Sequence, residues 1–416
     1  MQGDSDPRKW RALALLGSAE LLGMSLWFSA SAVSPQLAAA WGLSASEAGW
    51  LTTVVQLGFV AGTAVAATLN LADIVRSRTL FALAALAGAA VNAAVVTTDD
   101  YEAALVLRFF TGFCLAGVYP PAMKMISTWF SAQRGLAIGT IVGALTIGKA
   151  TPYLVNAIPD AGVVPVLLTA SACAVLAALL VWTGYRDGPY AFASRPFSWG
   201  LVASVARVRE WRLATASYLG HMFELYAVWT WIPAFLAASV LARDPDSTAP
   251  VTLISFLAIA IGGAGCVWGG LFADRAGRER LVTISLLASG ACCALSALFF
   301  GASLWLLAPF ALAWGFFVIA DSAQFSTLVT ESVPPHAVGT ALTMQTSLGF
   351  LLTMLPMQLV PVFAARVGWR WSLVFLALGP AAGIFAIKRL ARVRTSNGSY
   401  LAGGSGGTAG PSPSGS

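Results

Sequence analysis

Charge is what this chain has least of. Asp, Glu, Lys and Arg together make up 10% of its 416 residues, against about 25% in a soluble domain. A surface so poor in ionised groups does not stay dispersed in water, which excludes an ordinary soluble class and makes lipid the bulk solvent. Histidine is nearly missing, with His221 and His336 far apart in the sequence. The five cysteines (Cys114, Cys173, Cys266, Cys292 and Cys293) all lie in apolar runs without ligand spacing. Neither a metal site nor a disulfide framework is expected, and these thiols read as small buried hydrophobes. The phosphate-cradling pattern G-x-x-x-x-G-K-[ST] does not occur, and no polar stretch is long enough to hydrolyse ATP. An enzyme would need clustered nucleophile, acid–base or metal residues, and none is gathered. No cofactor and no enzymatic activity are expected.

What is present is apolar residue in long runs. The chain is 58% hydrophobic, in segments of roughly 20 residues without in–out alternation, which favours spanning helices over a closed barrel. Twelve spans are expected, near 11–34, 47–69, 79–98, 102–125, 135–157 and 162–185, then 212–239, 250–272, 281–300, 303–328, 337–363 and 369–390. The first begins within about ten residues of Met1 and is too long for a signal-peptide core, so it is read as a retained helix. Residues 1–10 form an N-terminal segment, 11–185 and 212–392 two six-helix bundles, and 186–211 a basic connector. The Phe197–Trp211 part of the connector suits a short helix on the membrane surface. Residues 393–416, Gly/Ser/Pro-rich from Thr395, are expected to be a disordered tail.

Loop charge sets the orientation. One set of loops, from Arg8, Lys9 and Arg11 through Arg134 and Arg186 to Arg394, holds 18 of the 24 basic residues. By the positive-inside rule both termini and the connector are cytoplasmic, in a multi-pass protein of the cytoplasmic (inner) membrane. The net charge of +6 is loop charge of this kind, so nucleic acid is not an expected partner.

The chain also repeats itself. A charged turn, Gly270-Leu-Phe-Ala-Asp274-Arg275-Ala-Gly277-Arg278-Glu-Arg280, separates the second and third spans of the second half, and an eroded copy, Asn70-Leu-Ala-Asp73-Ile-Val-Arg76-Ser-Arg78, does so in the first. The two aspartates are 201 positions apart, as are Trp10-Arg11 and Trp211-Arg212, and Gly148 and Gly349. Gly277 permits the positive φ of a tight reversal. Asp274, with Arg275 and Arg278 in reach, can clamp neighbouring helices in one state and release them in another. The alternative is a solvated turn whose bases only set orientation.

Over residues 10–392 this layout resembles the major facilitator superfamily. Gly270–Arg280 is similar to the family's G-x-L-a-D-R-x-G-R-R, with Phe272 for Leu and Glu279 for the last base. In the first copy Leu69 replaces the first Gly, Ile74 the Arg and Arg76 the second Gly, which weakens that charge latch. Arg108-Phe-Phe-Thr-Gly112 resembles the family's R-x-x-x-G on helix 4, and Trp129-Phe-Ser-Ala-Gln-Arg134-Gly135 its turn before helix 5. Tyr119-Pro-Pro-Ala-Met-Lys124 and Ala320-Asp321-Ser-Ala-Gln324 resemble a group in the bacterial branch with nitrate/nitrite and cyanate-type porters. Those relatives carry an arginine on both helix 2 and helix 8, and 47–69 and 250–272 contain none, so nitrate itself is not expected. The resemblance implies an all-α membrane protein of twelve transmembrane helices in two pseudo-symmetric six-helix bundles. It also implies a midplane solute site between the bundles, lined by helices 1, 4, 7 and 10. The gating set it marks is Asp73, Arg76, Arg134, Asp274, Arg275, Gly277 and Arg278.

An ionised side chain at the bilayer centre costs at least about 2.5–3.5 kcal/mol, so each one needs a reason. Glu20 lies roughly 15 Å into its helix; His221 is its counterpart at the 201 offset, with Glu224 one turn on. Glu20, His221, Glu224, Arg108 and Asp321 form the expected proton-coupling set, against the reading that they are structural pairs neutralising one another. Lys149, with Tyr153 on its face, is read as an anion-binding ammonium or as a counter-ion to Glu20 or Asp321. Trp27, Tyr119, Tyr226, Gln324 and Gln345 complete the expected substrate-binding set. Lys124 lies near a membrane surface and can snorkel to it.

The expected function is secondary active transport of a small organic or inorganic anion by alternating access, with the proton as coupling ion and the chain acting as a monomer. Gly143, Gly148 and Pro152 keep the components of an exporter's G-x-x-x-G-P run at altered spacing, so proton-driven drug or metabolite efflux is the alternative. A non-transporting receptor on the same fold is the third reading.

Overall fold

Every apolar run becomes helix, because N–H and C=O groups in hydrocarbon must pair within their own segment. A computed structural model describes residues 6–69, 71–130, 133–190 and 198–403, and no strand occurs among the described residues. The first half comprises α1 (Arg8–Met24), α2 (Ser29–Ala32), α3 (Ser34–Trp41), α4 (Ala45–Thr68), α5 (Leu71–Ile74), α6 (Ser77–Ala94), α7 (Tyr101–Leu115), α8 (Tyr119–Ser127), α9 (Arg134–Asn156) and α10 (Val163–Gly184). After α11 (Trp199–Arg207) come α12 (Arg209–Arg243), α13 (Val251–Ala276), α14 (Arg278–Phe299), α15 (Leu304–Phe317), α16 (Ser322–Ser332), α17 (Val338–Val367) and α18 (Leu378–Gly403).

Eleven helical stretches among the described residues are long and apolar enough to cross a membrane. Their ends fall within a few residues of the expected spans. The pairs α7/α8 and α15/α16 each count as one stretch, interrupted near mid-length. The twelfth expected span, the first in sequence, is instead divided into α1, α2 and α3, each too short to cross alone. Ser25 and Ser29 turn their hydroxyls back onto Leu22 O and Leu26 O, a local bond that competes with the helix. Pro35 then starts α3. The carbonyls freed there find other donors, as a lipid-buried backbone requires: Asn156 Nδ2 donates to Ala32 O at 2.7 Å, and Arg108 takes those of Leu26 and Trp27.

The duplication is visible in packing. A Cβ on Gly148 would stand 2.1 Å from Leu21 O, so α9 and α1 approach backbone to backbone. A Cβ on Gly349 would meet Tyr218 at 2.3 Å and Met222 at 3.1 Å, bringing α17 onto α12. Leu21 and Met222 are themselves 201 positions apart. The halves meet along α9 with α13 and α4 with α17.

One end of the bundle holds both helical termini. There Lys9 Nζ donates to Gln133 Oε1 at 3.0 Å, and Arg394 lies 2.9 Å from Glu279, 3.2 Å from Glu331 and 3.9 Å from Glu210. These pairs draw the start of α14 and the end of α16 onto α18. That helix continues to Gly403, past residue 393 where the tail was expected to begin; residues 404–416 lie outside the described residues, as do 191–197 of the connector. At the opposite end polar rungs cross between the halves. Ser46 Oγ donates to Gln358 Oε1 (3.1 Å), Gln358 Nε2 to Thr53 Oγ1 (2.8 Å) and Thr353 Oγ1 to Gln56 Oε1 (2.6 Å).

Candidate substrate site

Lys149 sits fifteen residues into α9, roughly 22 Å along it at 1.5 Å per residue. Its side chain is 1% exposed. The ammonium donates to the Tyr226 hydroxyl on α12 and stands over three rings, 3.9 Å from the centroid of Trp27, 4.7 Å from Tyr226 and 5.5 Å from Trp229. Trp27 belongs to the first half and the other two to the second, so the cage closes across the bundle interface. Phe59 and Phe350 complete it: Trp27 lies 5.3 Å from Phe59 and 5.5 Å from Phe350, and those two are 4.7 Å apart. Phe350 is the 201-offset counterpart of Lys149. Among the described residues no carboxylate comes within ion-pair distance of Lys149.

Glu20 is fully buried on α1, brought beside α9 by the Gly148 approach. Lys149 acts on it electrostatically, yet neither carboxylate oxygen has a hydrogen-bond partner among the described residues. A small cavity, about 50 Å³, begins at this cage and runs toward the end that holds the termini. At roughly 10–15 Å³ per water it admits only a few water molecules. Lys149, Trp27, Tyr119, Tyr226 and Gln345 all line it. Tyr153 and Gln324 are buried and stand outside the lining; Tyr153 instead faces Phe28, at 6.4 Å between centroids. Most of the remaining wall is apolar and deformable, with Met24, Met123 and Met222 prominent.

The other charged residues gather behind the wall. His221 Nδ1 is 3.0 Å from Asp321 Oδ1, both side chains essentially inaccessible. The approach is not aligned as a hydrogen bond, and neither His221 Nε2 nor Asp321 Oδ2 has a partner among the described residues. The distance makes an ion pair whenever the imidazole is protonated. Asp321 lies at the α15/α16 interruption and precedes the cavity-lining Ser322 and Ala323. Glu224 turns away from the cavity toward α14, where Ser289 Oγ donates to it at 2.5 Å and Cys293 Sγ at 3.1 Å. Cys293 therefore acts as a donor as well as filling space. Arg108, also fully buried, donates to Leu26 O, Trp27 O, Leu51 O, Ser29 Oγ and Asn92 Oδ1.

At the end with the termini, Gly277 (φ +90°) alone joins α13 to α14. In the first half Arg76, in the equivalent place, has φ −56° and follows the short α5. Asp274 closes α13, where a negative charge opposes the helix dipole, yet its Oδ1 lies 3.5 Å from the Cβ position of Gly135 at the start of α9. A helix N-terminus favours a carboxylate, so this acid joins the two halves. Arg278 pairs with Glu331 at 2.6 Å. Arg275 and Arg76 are exposed, and the side chains of Asp73 and Arg134 lie outside those described. Phe59, Phe350, Asn92, Ser289 and Cys293 escape sequence reasoning. Only Phe350 had a signal, its offset from Lys149.

Residues 15–355 match the family model described as the Major Facilitator Superfamily. No curated protein matches the chain. Among solved structures, a bacterial homolog of the human lysosomal transporter Spinster, in an inward-facing and unoccupied conformation, is similar at a TM-score of 0.71 and 15% identity, with 93% of this chain and 98% of that one covered. The human organic anion transporter MFSD10 (TETRAN) is similar at 0.69 and 15%, with 92% and 100% covered. At that identity the likeness concerns the fold alone.

Proposed function

The chain belongs to the Major Facilitator Superfamily, and we propose that this secondary transporter moves a small organic anion together with a proton. The observation that carries the reading is the Lys149 ammonium, buried across the interface of the halves with rings and a hydroxyl for partners. Removing an ammonium from water costs several kcal/mol, and a desolvated cation–π contact returns about 2. A carboxylate or sulfonate entering the cavity would answer the charge more fully, and the methionine and aromatic wall would hold its apolar body.

Glu20 supplies the coupling. Ionised, it satisfies Lys149 electrostatically; protonated, it leaves that ammonium for the solute. Proton and anion then occupy the site together, and the parting of α4 from α17 and of α9 from α13 would expose it to each side in turn. His221 and Asp321 form a second proton-accepting group behind the wall. The second reading, proton-driven export of an apolar metabolite, is favoured by the thioether-rich lining.

Proteoliposome uptake of labelled benzoate tests this, with benzyl alcohol as the neutral comparison. Saturable benzoate uptake that rises with an inward proton gradient, and is lost in Lys149→Gln, is the expected result. Equal loss of benzoate and benzyl alcohol transport in that variant would overturn the anion assignment. Uptake indifferent to the proton gradient would overturn the role of Glu20.

A further inference from the structure

We propose that Arg108 is a positioning residue for the substrate site, holding open the break in the first span and so aiming Trp27 at the Lys149 ammonium. A guanidinium with no exposure in the middle of a membrane protein ordinarily answers a carboxylate. Arg108 has none within ion-pair distance among the described residues. Its donors go to uncharged oxygens on three sides: Nη1 to Leu26 O (3.0 Å), Ser29 Oγ (3.0 Å) and Asn92 Oδ1 (2.8 Å), Nη2 to Trp27 O (2.5 Å), and Nε to Leu51 O (3.3 Å).

Leu26 and Trp27 lie in the interruption between α1 and α2, and Ser29 opens α2. A carbonyl freed in hydrocarbon needs a donor; Arg108 supplies one to Trp27 O, shares Leu26 O with the Ser29 hydroxyl, and reaches all three oxygens with one rigid fork. Asn92 fixes the fork in turn. Its Nδ2 donates to Leu167 O and Ser171 Oγ of α10, both at 3.0 Å, so that α6 and α10 set where the guanidinium can lie.

Trp27 transmits the arrangement. Its carbonyl is held by Arg108, while its ring, 3.9 Å from Lys149 Nζ, forms the nearest wall of the cage. The indole Nε1 has no partner among the described residues, so backbone placement and ring packing locate the ring without a bond of its own. A lysine in place of Arg108 would keep the charge but could not span these oxygens. That difference separates positioning from proton carriage.

The effect on affinity rests on Lys149 being the anion site; the placement of Trp27 does not. The full chain in detergent micelles, labelled with 5-fluorotryptophan, gives a ¹⁹F resonance for Trp27, assigned by its loss in Trp27→Phe. Arg108→Lys, and the milder Asn92→Leu, should shift or broaden that resonance. The signal of Trp231, held separately by its bond to Met357 O, should stay in place. In proteoliposomes Arg108→Lys should raise the benzoate KM about tenfold with maximal rate little changed, and should add nothing in a Trp27→Phe background.

An unmoved Trp27 resonance in both variants overturns the proposal. So does a lost proton dependence at unchanged KM. Should Arg108→Lys not fold, Asn92→Leu decides by the same resonance. Absence of benzoate transport in the unmodified chain would refute the anion reading while leaving the fluorine result to stand.

Discussion

Substituting Gly148 tests the packing on which the site depends. An alanine Cβ there would lie 2.1 Å from Leu21 O and 2.9 Å from both Leu21 C and Cα, whereas ordinary contact begins near 3.4 Å. The helices must part by about 1.3 Å, and nothing on the α1 side can rotate away because the obstacle is backbone. Overpacking of this kind costs about 1–3 kcal/mol, and an immovable obstacle places Gly148→Ala near the upper figure. Gly349→Ala is its natural control. The same duplicated position meets Tyr218 Cε1 at 2.3 Å, but a ring beside the cavity can swing, so about 1 kcal/mol is expected. Denaturation in mixed micelles with a titrated harsh detergent compares the two. Gly148→Ala should also weaken benzoate uptake, since α1 carries Glu20 away from Lys149. A Gly148→Ala chain as stable as the parent, or Gly349→Ala proving the costlier of the pair, would refute the reasoning.

Further expectations concern separate regions. Cys293→Val and Ser289→Ala should each cost about 1 kcal/mol, a typical hydrogen-bond loss. Together they should cost more than the sum, because Glu224 then has no donor; a double-mutant melting cycle checks this. Asp274→Asn removes a charge–dipole contact worth about 0.3–1 kcal/mol. The transport rate should change about two- to fivefold and lose part of its sensitivity to ionic strength; a variant with the parent's salt profile would contradict that role. Ser44→Ala breaks the capping box in which Ser44 N donates to Glu47 Oε2 at 2.8 Å and Glu47 N to Ser44 Oγ at 3.3 Å. A loss of about 1 kcal/mol in the same denaturation assay is expected.

The spans were legible because hydrocarbon imposes length and apolarity together. The duplication was legible because Gly148 and Gly349 keep equivalent close contacts, with Leu21 and with Met222. Gly277 was readable from its turn chemistry and has the positive φ expected of it. The interruption of the first span was not readable, although Ser25, Ser29, Ser31 and Ser34 before Pro35 carried a hint. Hydropathy cannot tell that an arginine more than eighty positions away will take the freed carbonyls. A charged residue in an apolar run reads as seeking an opposite charge, and Arg108 found oxygens of the main chain. Glu224 illustrates the same limit. It lies one turn from His221 on α12, but a few tens of degrees of helix rotation direct it to α14 instead of the cavity.

The bonds of Arg394 bear on where this protein can be shortened. A deletion that begins at residue 393, the boundary composition alone would suggest, takes away the cation that gathers Glu210, Glu279 and Glu331. Three acids would then lose the cation they share beside the Gly277 corner, with Glu331 still paired to Arg278. A fusion or affinity handle should accordingly be joined downstream of that arginine, so that the last helix keeps its anchor at the base of the second bundle.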